Sequence, residues 1–169
     1  MAPRKPLNPD FETIYDEYYD RVYRYAYTIL LNREDAEDVV EETFLAAYAA
    51  YGRYDPSLAS PATWLTRIAH NMAVNLMKSA AYRKRAEEPE EPERTGADFT
   101  QRVEDSDTTL RLYAHLTPAE REFLDLRYVM EMKDAEIGAM LGIPAKTVNK
   151  RYQRLLERCR MMLDSGQQR

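Results

Sequence analysis

Between residues 145 and 160 the chain places six basic residues and one acid, although its formal net charge is −5. A local reversal of sign on that scale suits neutralisation of successive phosphates. Lys146, Lys150, Gln153 and Arg154 recur there at helical spacing and project to one side, with Asn149 and Arg151 at the flanks. Amide, ammonium and guanidinium groups so arranged are those that pair with base edges in a major groove. A second constellation has the opposite sign. Glu34, Glu37, Asp38, Glu41 and Glu42 share a helical face with Leu45 in their midst. This pattern fits a solvated acidic face, or a protein-docking face with a leucine anchor and carboxylates that meet a partner's Arg or Lys. A third lies in YGRYDPSLASPATW (51–64), followed by Arg67, His70, Asn71, Lys78 and Arg85. Aromatic rings beside a basic helix face suit single-stranded nucleic acid, with cations on phosphates and rings on unpaired bases. The same residues also fit a lid of core aromatics, with the basic run capping a helix C-terminus.

Bond-making chemistry finds little support. One cysteine, Cys159, and two histidines, His70 and His115, give no disulfide framework and no metal-ligand spacing. The acidic cluster could in principle hold magnesium, but it is a continuous helical face with no converging groups, and no phosphate loop or nucleophile–base pair appears. No enzyme activity, metal or cofactor is expected. No apolar run approaches the ~18 residues of a membrane span, and MAPRKPLNPD lacks the apolar stretch of a secretory signal. No membrane insertion is expected, and the expected location is the cytoplasm.

The elements that must carry these groups are helical. Five glycines, nine prolines and few Val/Ile-rich runs in 169 residues disfavour sheet. Asn8-Pro9-Asp10 opens a first helix, with Phe11, Ile14, Tyr15, Tyr18, Val22, Tyr25 and Ile29 along one face. Asn32 and Asp35 resemble a capping box that starts a second, with Ala36, Val39, Val40, Thr43, Phe44, Ala47, Tyr48 and Tyr51 as its apolar stripe. Ser60-Pro61 starts a third, stacked along Leu65, Ile68, Ala69, Met72 and Leu76 and running out in Tyr82-Arg83-Lys84-Arg85. Residues 87–107 hold nine acids and two bases and almost nothing apolar, which predicts an acidic linker, flexible and extended in its first part, with a solvated charged helix from Asp98 onward as the alternative.

Beyond it, Thr117-Pro118-Ala119-Glu120 is a capping box that opens a helix to about Met130. A short helix from Asp134 to Leu141 then stops at Gly142, and a longer one follows Ile143-Pro144. Gly138 stands where two helices cross closely, and Gly142 suits a positive φ. Ile137, Leu141, Ile143 and Val148 supply apolar pegs, and Val148, Tyr152, Leu155, Leu156, Cys159 and Leu163 a buried stripe. This is the pattern of a helix-turn-helix, with a plain αα-hairpin as the alternative.

Taken together, DAEDVVEETFLAAY (35–48), WLTRIAHN (64–71), LTPAEREFLDLRY (116–128) and EIGAMLGIPAKTVNKR (136–151) resemble the extracytoplasmic-function (group IV) sigma factors of bacterial RNA polymerase. The resemblance covers 10–86 and 108–163. It implies an all-α chain of two small helical domains: sigma domain two over 8–86 and sigma domain four, the helix-turn-helix, over 108–163, joined by the linker 87–107. It also implies that Asp38, Glu41, Glu42 and Leu45 dock on the clamp helices of the polymerase largest subunit. Tyr54, Asp55, Ser57, Leu58 and Asn71 would handle an extruded minus-10 base, with Arg67 and Lys78 on the same DNA-binding helix and Trp64 shaping that surface. Lys146, Asn149, Lys150, Gln153 and Arg154 would read the minus-35 duplex, with Arg151 on phosphate. An anti-sigma factor is a further candidate partner, as often in this family. A free-standing helix-turn-helix regulator is the alternative function.

The chain departs from the family pattern at three places. Glu41 stands where the family usually has glutamine. Asn149-Lys150 replaces the commoner Lys-Ser before Arg151, so a relative's promoter sequence does not transfer. The first helix carries Tyr15, Tyr18, Tyr19, Tyr23, Tyr25 and Tyr27, for which packing is the only role in view.

Overall fold

A computed structural model describes residues 9–87, 112 and 115–166, and the predicted linker and both tails lie outside the described residues apart from its first position, Glu87. The described elements are α1 (Phe11–Leu30), α2 (Arg33–Ala50), a 3-10 turn (Tyr51–Arg53), α3 (Pro61–Lys78), α4 (Ala80–Glu87), α5 (Pro118–Tyr128), α6 (Asp134–Leu141) and α7 (Ala145–Gly166). No strand occurs among them. The chain divides into two compact units, 1–90 and 91–169.

In the first unit, α1, α2 and α3 pack against one another in all three pairings. Local caps set where each helix begins. Asn32 accepts from the Asp35 N–H at 2.9 Å, and the Ser60 hydroxyl accepts from the Thr63 N–H at 3.2 Å ahead of Pro61. The helices bury Ile14, Val22, Tyr25, Ala36, Val40, Ala47, Leu65 and Ala69, each at most 2% exposed. Thr43 and Thr66, fully buried, return their hydroxyls to the carbonyls four residues back, so neither leaves a polar atom unpaired. The tyrosines of α1 divide in two. Tyr25 is core, whereas Tyr15 and Tyr19 lie edge-on and stacked against Phe44 of α2, and Tyr15 remains 42% exposed.

The predicted third helix is two. At Ser79 the backbone turns extended (ψ 146), and the Ser79 hydroxyl accepts from the Tyr82 N–H at 3.2 Å to start α4. Serine favours caps over helix interiors, but apolar periodicity is blind to the difference. Three positions of the predicted stripes lie outward: Tyr15 is 42%, Tyr48 68% and Leu163 37% exposed.

In the second unit, Thr117 and Glu120 form the expected reciprocal capping box of α5. Burial opposes ionisation of Glu120, but the Thr117 N–H, Arg158 and the Thr117 hydroxyl together hold its carboxyl below the ordinary range. Arg158 of α7 thereby pins that helix to the start of α5. Leu116, Phe123, Leu124, Leu126, Met130, Met132, Ile137, Val148, Tyr152, Leu155 and Cys159 form the core. Between α6 and α7, Gly142 has φ +70, and the Gly138 carbonyl accepts from both the Gly142 and Ile143 N–H groups. A Cβ on Gly138 would sit 2.5 Å from the Ile143 carbonyl oxygen. Glycine is therefore required for the crossing at one position and favoured for the turn at the other.

Candidate functional site

Three surfaces carry the residues singled out in the sequence. On α2, Asp38, Glu41, Glu42 and Leu45 stand at i, i+3, i+4 and i+7, and all four are exposed on one stripe. Leu45 is 70% exposed and Tyr48, one turn on, 68%. Glu37, half-buried, accepts from Arg33 at 2.9 Å. Burial first, then Tyr15, Glu41 and Glu37, raise the Tyr19 phenol, so the tyrosine beside this face stays neutral. Chemically, this stripe offers one apolar contact and three carboxylates able to accept from Arg or Lys.

The second surface joins the loop 54–60 to α3. Tyr54 is only 5% exposed: its ring stacks on Trp64 at 4.2 Å, and its hydroxyl donates to the Ala59 carbonyl at 2.9 Å. Burial pushes its phenol up to about 12. Tyr54 is thus the underside of the loop, as in the alternative of a lid of core aromatics. Asp55 accepts from both the N–H and the hydroxyl of Ser57, at 2.9 and 2.7 Å, which shapes the loop, and Leu58 projects from it 84% exposed. On α3, Arg67, Asn71 and Lys78 are exposed and, at about 100° per residue, fall within roughly 40° of one another. Trp64 is half-buried at the head of that stripe. His70 lies away from it and is hydrogen-bonded to the core hydroxyl of Tyr25 at 3.0 Å.

Arg85 also leaves the basic stripe. Its guanidinium donates to the buried Asp35 carboxylate at 2.9 Å, tying α4 to the start of α2, and that hydrogen bond raises the Arg85 pKa. Breaking it is expected to free α4 without unfolding the rest. Arg85→Ala should abolish hydrogen-exchange protection over residues 80–87 while protection in α1 and α3 stays unchanged. Equal loss throughout the unit would show that the pair supports the whole core.

The third surface is α7. Lys146, Asn149, Lys150, Gln153 and Arg154 are all exposed and occupy an arc of about 140°, with the exposed Arg151 at its edge. Val148, Tyr152, Leu155 and Cys159 occupy the opposite, buried side. Burial first, with the hydroxyl bond to Tyr128, pushes the Tyr152 phenol up to about 12, so this tyrosine is a neutral wall behind the basic face. Among the described residues no group of three or more His, Cys, Asp or Glu side chains is placed to hold a metal, and no helix is long and apolar enough to cross a membrane.

A glycine-crossed helix pair that presents a basic, amide-bearing helix, carried with a separate helical unit bearing an acidic face, defines a helix-turn-helix protein with a face suited to nucleic acid. Comparison with known proteins narrows the class. The Sigma-70 region 2 family model matches residues 14–84 and the Sigma-70, region 4 model residues 107–159. The sigma factor SigW of Bacillus subtilis is 29% identical, over 90% of this chain and 88% of its own. BldN of Streptomyces coelicolor is 30% identical over 88% of this chain, which spans only 59% of that relative's length. The solved structure of the sigma factor RpoE of Bartonella quintana with the anti-sigma factor NepR shares the fold, with a TM-score of 0.64 at 21% identity, over 92% of this chain and 97% of that one. The chain belongs to the extracytoplasmic-function sigma factors.

Proposed function

We propose that this chain is the promoter-specificity subunit of a bacterial RNA polymerase and catalyses no reaction itself. The observation that carries the reading is the pairing, on one chain, of an exposed carboxylate-rimmed leucine with an outward basic recognition helix. The α2 stripe of Asp38, Glu41, Glu42 and Leu45 docks on the clamp helices of the largest subunit. The Leu58 loop, resting on the Tyr54–Trp64 stack, and the α3 stripe of Arg67, Asn71 and Lys78 take the opened minus-10 element. Capture of an unpaired base there offsets its unstacking, which costs a few kcal/mol. The α7 face reads the minus-35 duplex. A tether over 87–107 lets both units engage together, so that two weak contacts gain through effective concentration. Its negative charge keeps it off DNA. The setting is the cytoplasm, and an anti-sigma protein, such as accompanies the Bartonella relative in its solved structure, is the natural antagonist.

The reading is tested by asking whether the full chain co-purifies with core polymerase and directs run-off transcription from a randomised promoter library. A palindromic footprint made by the chain alone would favour a free-standing regulator instead. The residues of α7 should then separate by role. Arg151→Ala, which removes a phosphate contact, is expected to weaken all duplexes alike and to flatten the log affinity–log salt slope by about 1. Lys150→Ala and Arg154→Ala should each cost about 1–3 kcal/mol on the preferred duplex and relax preference at particular base pairs. Unchanged preference in both would remove α7 from base reading.

A further inference from the structure

One side chain of the α7 face is held from outside its own helix. Asn149 Nδ2 donates to Oδ2 of Asp134, the first residue of α6, at 3.4 Å. The other carboxylate oxygen, Oδ1, accepts from the Arg127 guanidinium of α5. Arg127 in turn lies over the Tyr152 ring of α7, 4.6 Å from its centroid. The arginine and the aspartate are each about one quarter exposed (27% and 28%), whereas Asn149 stands out on the basic face. Three helices thus converge on one carboxylate, and that carboxylate reaches a candidate base-reading amide.

The chemistry of the pair restricts what Asn149 presents. A carboxylate only accepts, so the amide must turn its NH2 toward Asp134 and its carbonyl oxygen away. One N–H and the carbonyl oxygen remain for a ligand, a donor beside an acceptor. Adenine displays the complement in the major groove, the N7 acceptor beside the N6 donor. An exposed asparagine without such a restraint samples both amide orientations and several rotamers, and pays for ordering on binding. A lone carboxylate at this place would also repel phosphates. Arg127 offsets that charge, so the restraint comes without an electrostatic penalty.

We propose that Asp134 is a positioning residue for recognition: by holding the Asn149 amide in one orientation, it sets the readout of a single A·T pair by α7. This rests on α7 reading duplex DNA, as argued above. The sequence pattern alone did not point to it, because Asp134 reads there as an ordinary acidic residue in a helix's first turn.

The test uses the full chain bound to core polymerase, a duplex library randomised over the upstream element, and sequencing of the bound fraction. Five chains are compared: the natural one, Asp134→Ala, Asp134→Asn, Asn149→Ala and the double alanine substitution, with thermal melting measured on each. The natural chain should enrich A·T about tenfold at one position. Asn149→Ala should flatten that position, and Asp134→Ala should lower the same enrichment to about twofold while the other positions keep theirs. The double substitution should add nothing to Asn149→Ala, as for two residues acting through one contact. Asp134→Asn, which keeps an acceptor for the amide, should restore part of the preference. Affinity for unrelated duplex should not fall, since a negative charge has been removed. Intact enrichment in Asp134→Ala would overturn the inference and leave the DNA-reading role of α7 standing. Loss at every position together with a lowered melting temperature would reduce Asp134 to a structural residue. Enrichment of a base pair other than A·T at the Asn149-dependent position would equally overturn it. No enrichment by the natural chain at any position would sink the reading of α7 itself.

Discussion

Leu45→Asp is expected to abolish co-purification with core RNA polymerase while leaving helix content and the melting transition as they were. Leu45 is 70% exposed, so its replacement removes almost no core contact, and exposed substitutions of this kind shift stability by about 0.5 kcal/mol or less. At an interface the same side chain has a different weight. Truncating a central hot-spot anchor costs about 2 kcal/mol or more, thirtyfold in affinity, and Leu45 is expected to act as one. Aspartate adds a charge that must be desolvated among Asp38, Glu41 and Glu42, all exposed on the same stripe. Together these predict a loss of more than a hundredfold, measurable by pull-down and by competition with another sigma factor for core enzyme. Glu42→Lys should act more mildly, slowing association and altering its salt dependence. Binding retained by Leu45→Asp would place the docking surface elsewhere on the chain.

Gly138→Val should unfold the second unit and spare the first. A Cβ at this position meets the Ile143 carbonyl oxygen at 2.5 Å, and the obstacle is backbone, which cannot swing aside as a flexible side chain does. The same turn is closed by the Ile143 N–H donating to the Gly138 carbonyl at 2.9 Å, so moving Ile143 away also strains that bond. Overpacking costs about 1–3 kcal/mol even where side chains can yield, and here they cannot. A helical unit of this size has roughly 3–8 kcal/mol in all, at about 0.05–0.15 kcal/mol per residue. The substitution therefore consumes most or all of it. In urea, followed by amide exchange resolved by residue, protection in α5, α6 and α7 should vanish while α1, α2 and α3 keep theirs. Gly138→Ala should lie between the two. A second unit that tolerates valine with full protection would mean that the α6–α7 crossing is wider than described.

How much of this was legible in the residues follows the range of the interactions involved. The caps at Asn32, Ser60 and Thr117 and the left-handed stop at Gly142 were readable because each is an exchange between groups at most four residues apart. The outward basic stripe of α7 and the carboxylate–leucine stripe of α2 were readable for the same reason, since a helix fixes which of its own residues share a face. The break at Ser79 was missed although its cap, the Tyr82 N–H on the Ser79 hydroxyl, is just as local, because apolar periodicity does not mark it and the Arg85–Asp35 contact that accompanies it is tertiary.

Two placements were decided in that way. Of the two readings open for Tyr54, its ring takes the one beneath the loop, against Trp64; His70 looked like part of a basic face and is bonded to Tyr25 in the core. Partners separated by 45 residues (Tyr25 and His70), 50 (Asp35 and Arg85) or 15 (Asp134 and Asn149) meet only through the angle and register at which helices cross. The sequence by itself determined most of the helices, their capped starts and their main faces, and the resemblance to the family. The packing of one helix on another decided which polar side chains face ligand and which hold their neighbours in place, because that choice depends on distances that no periodicity encodes.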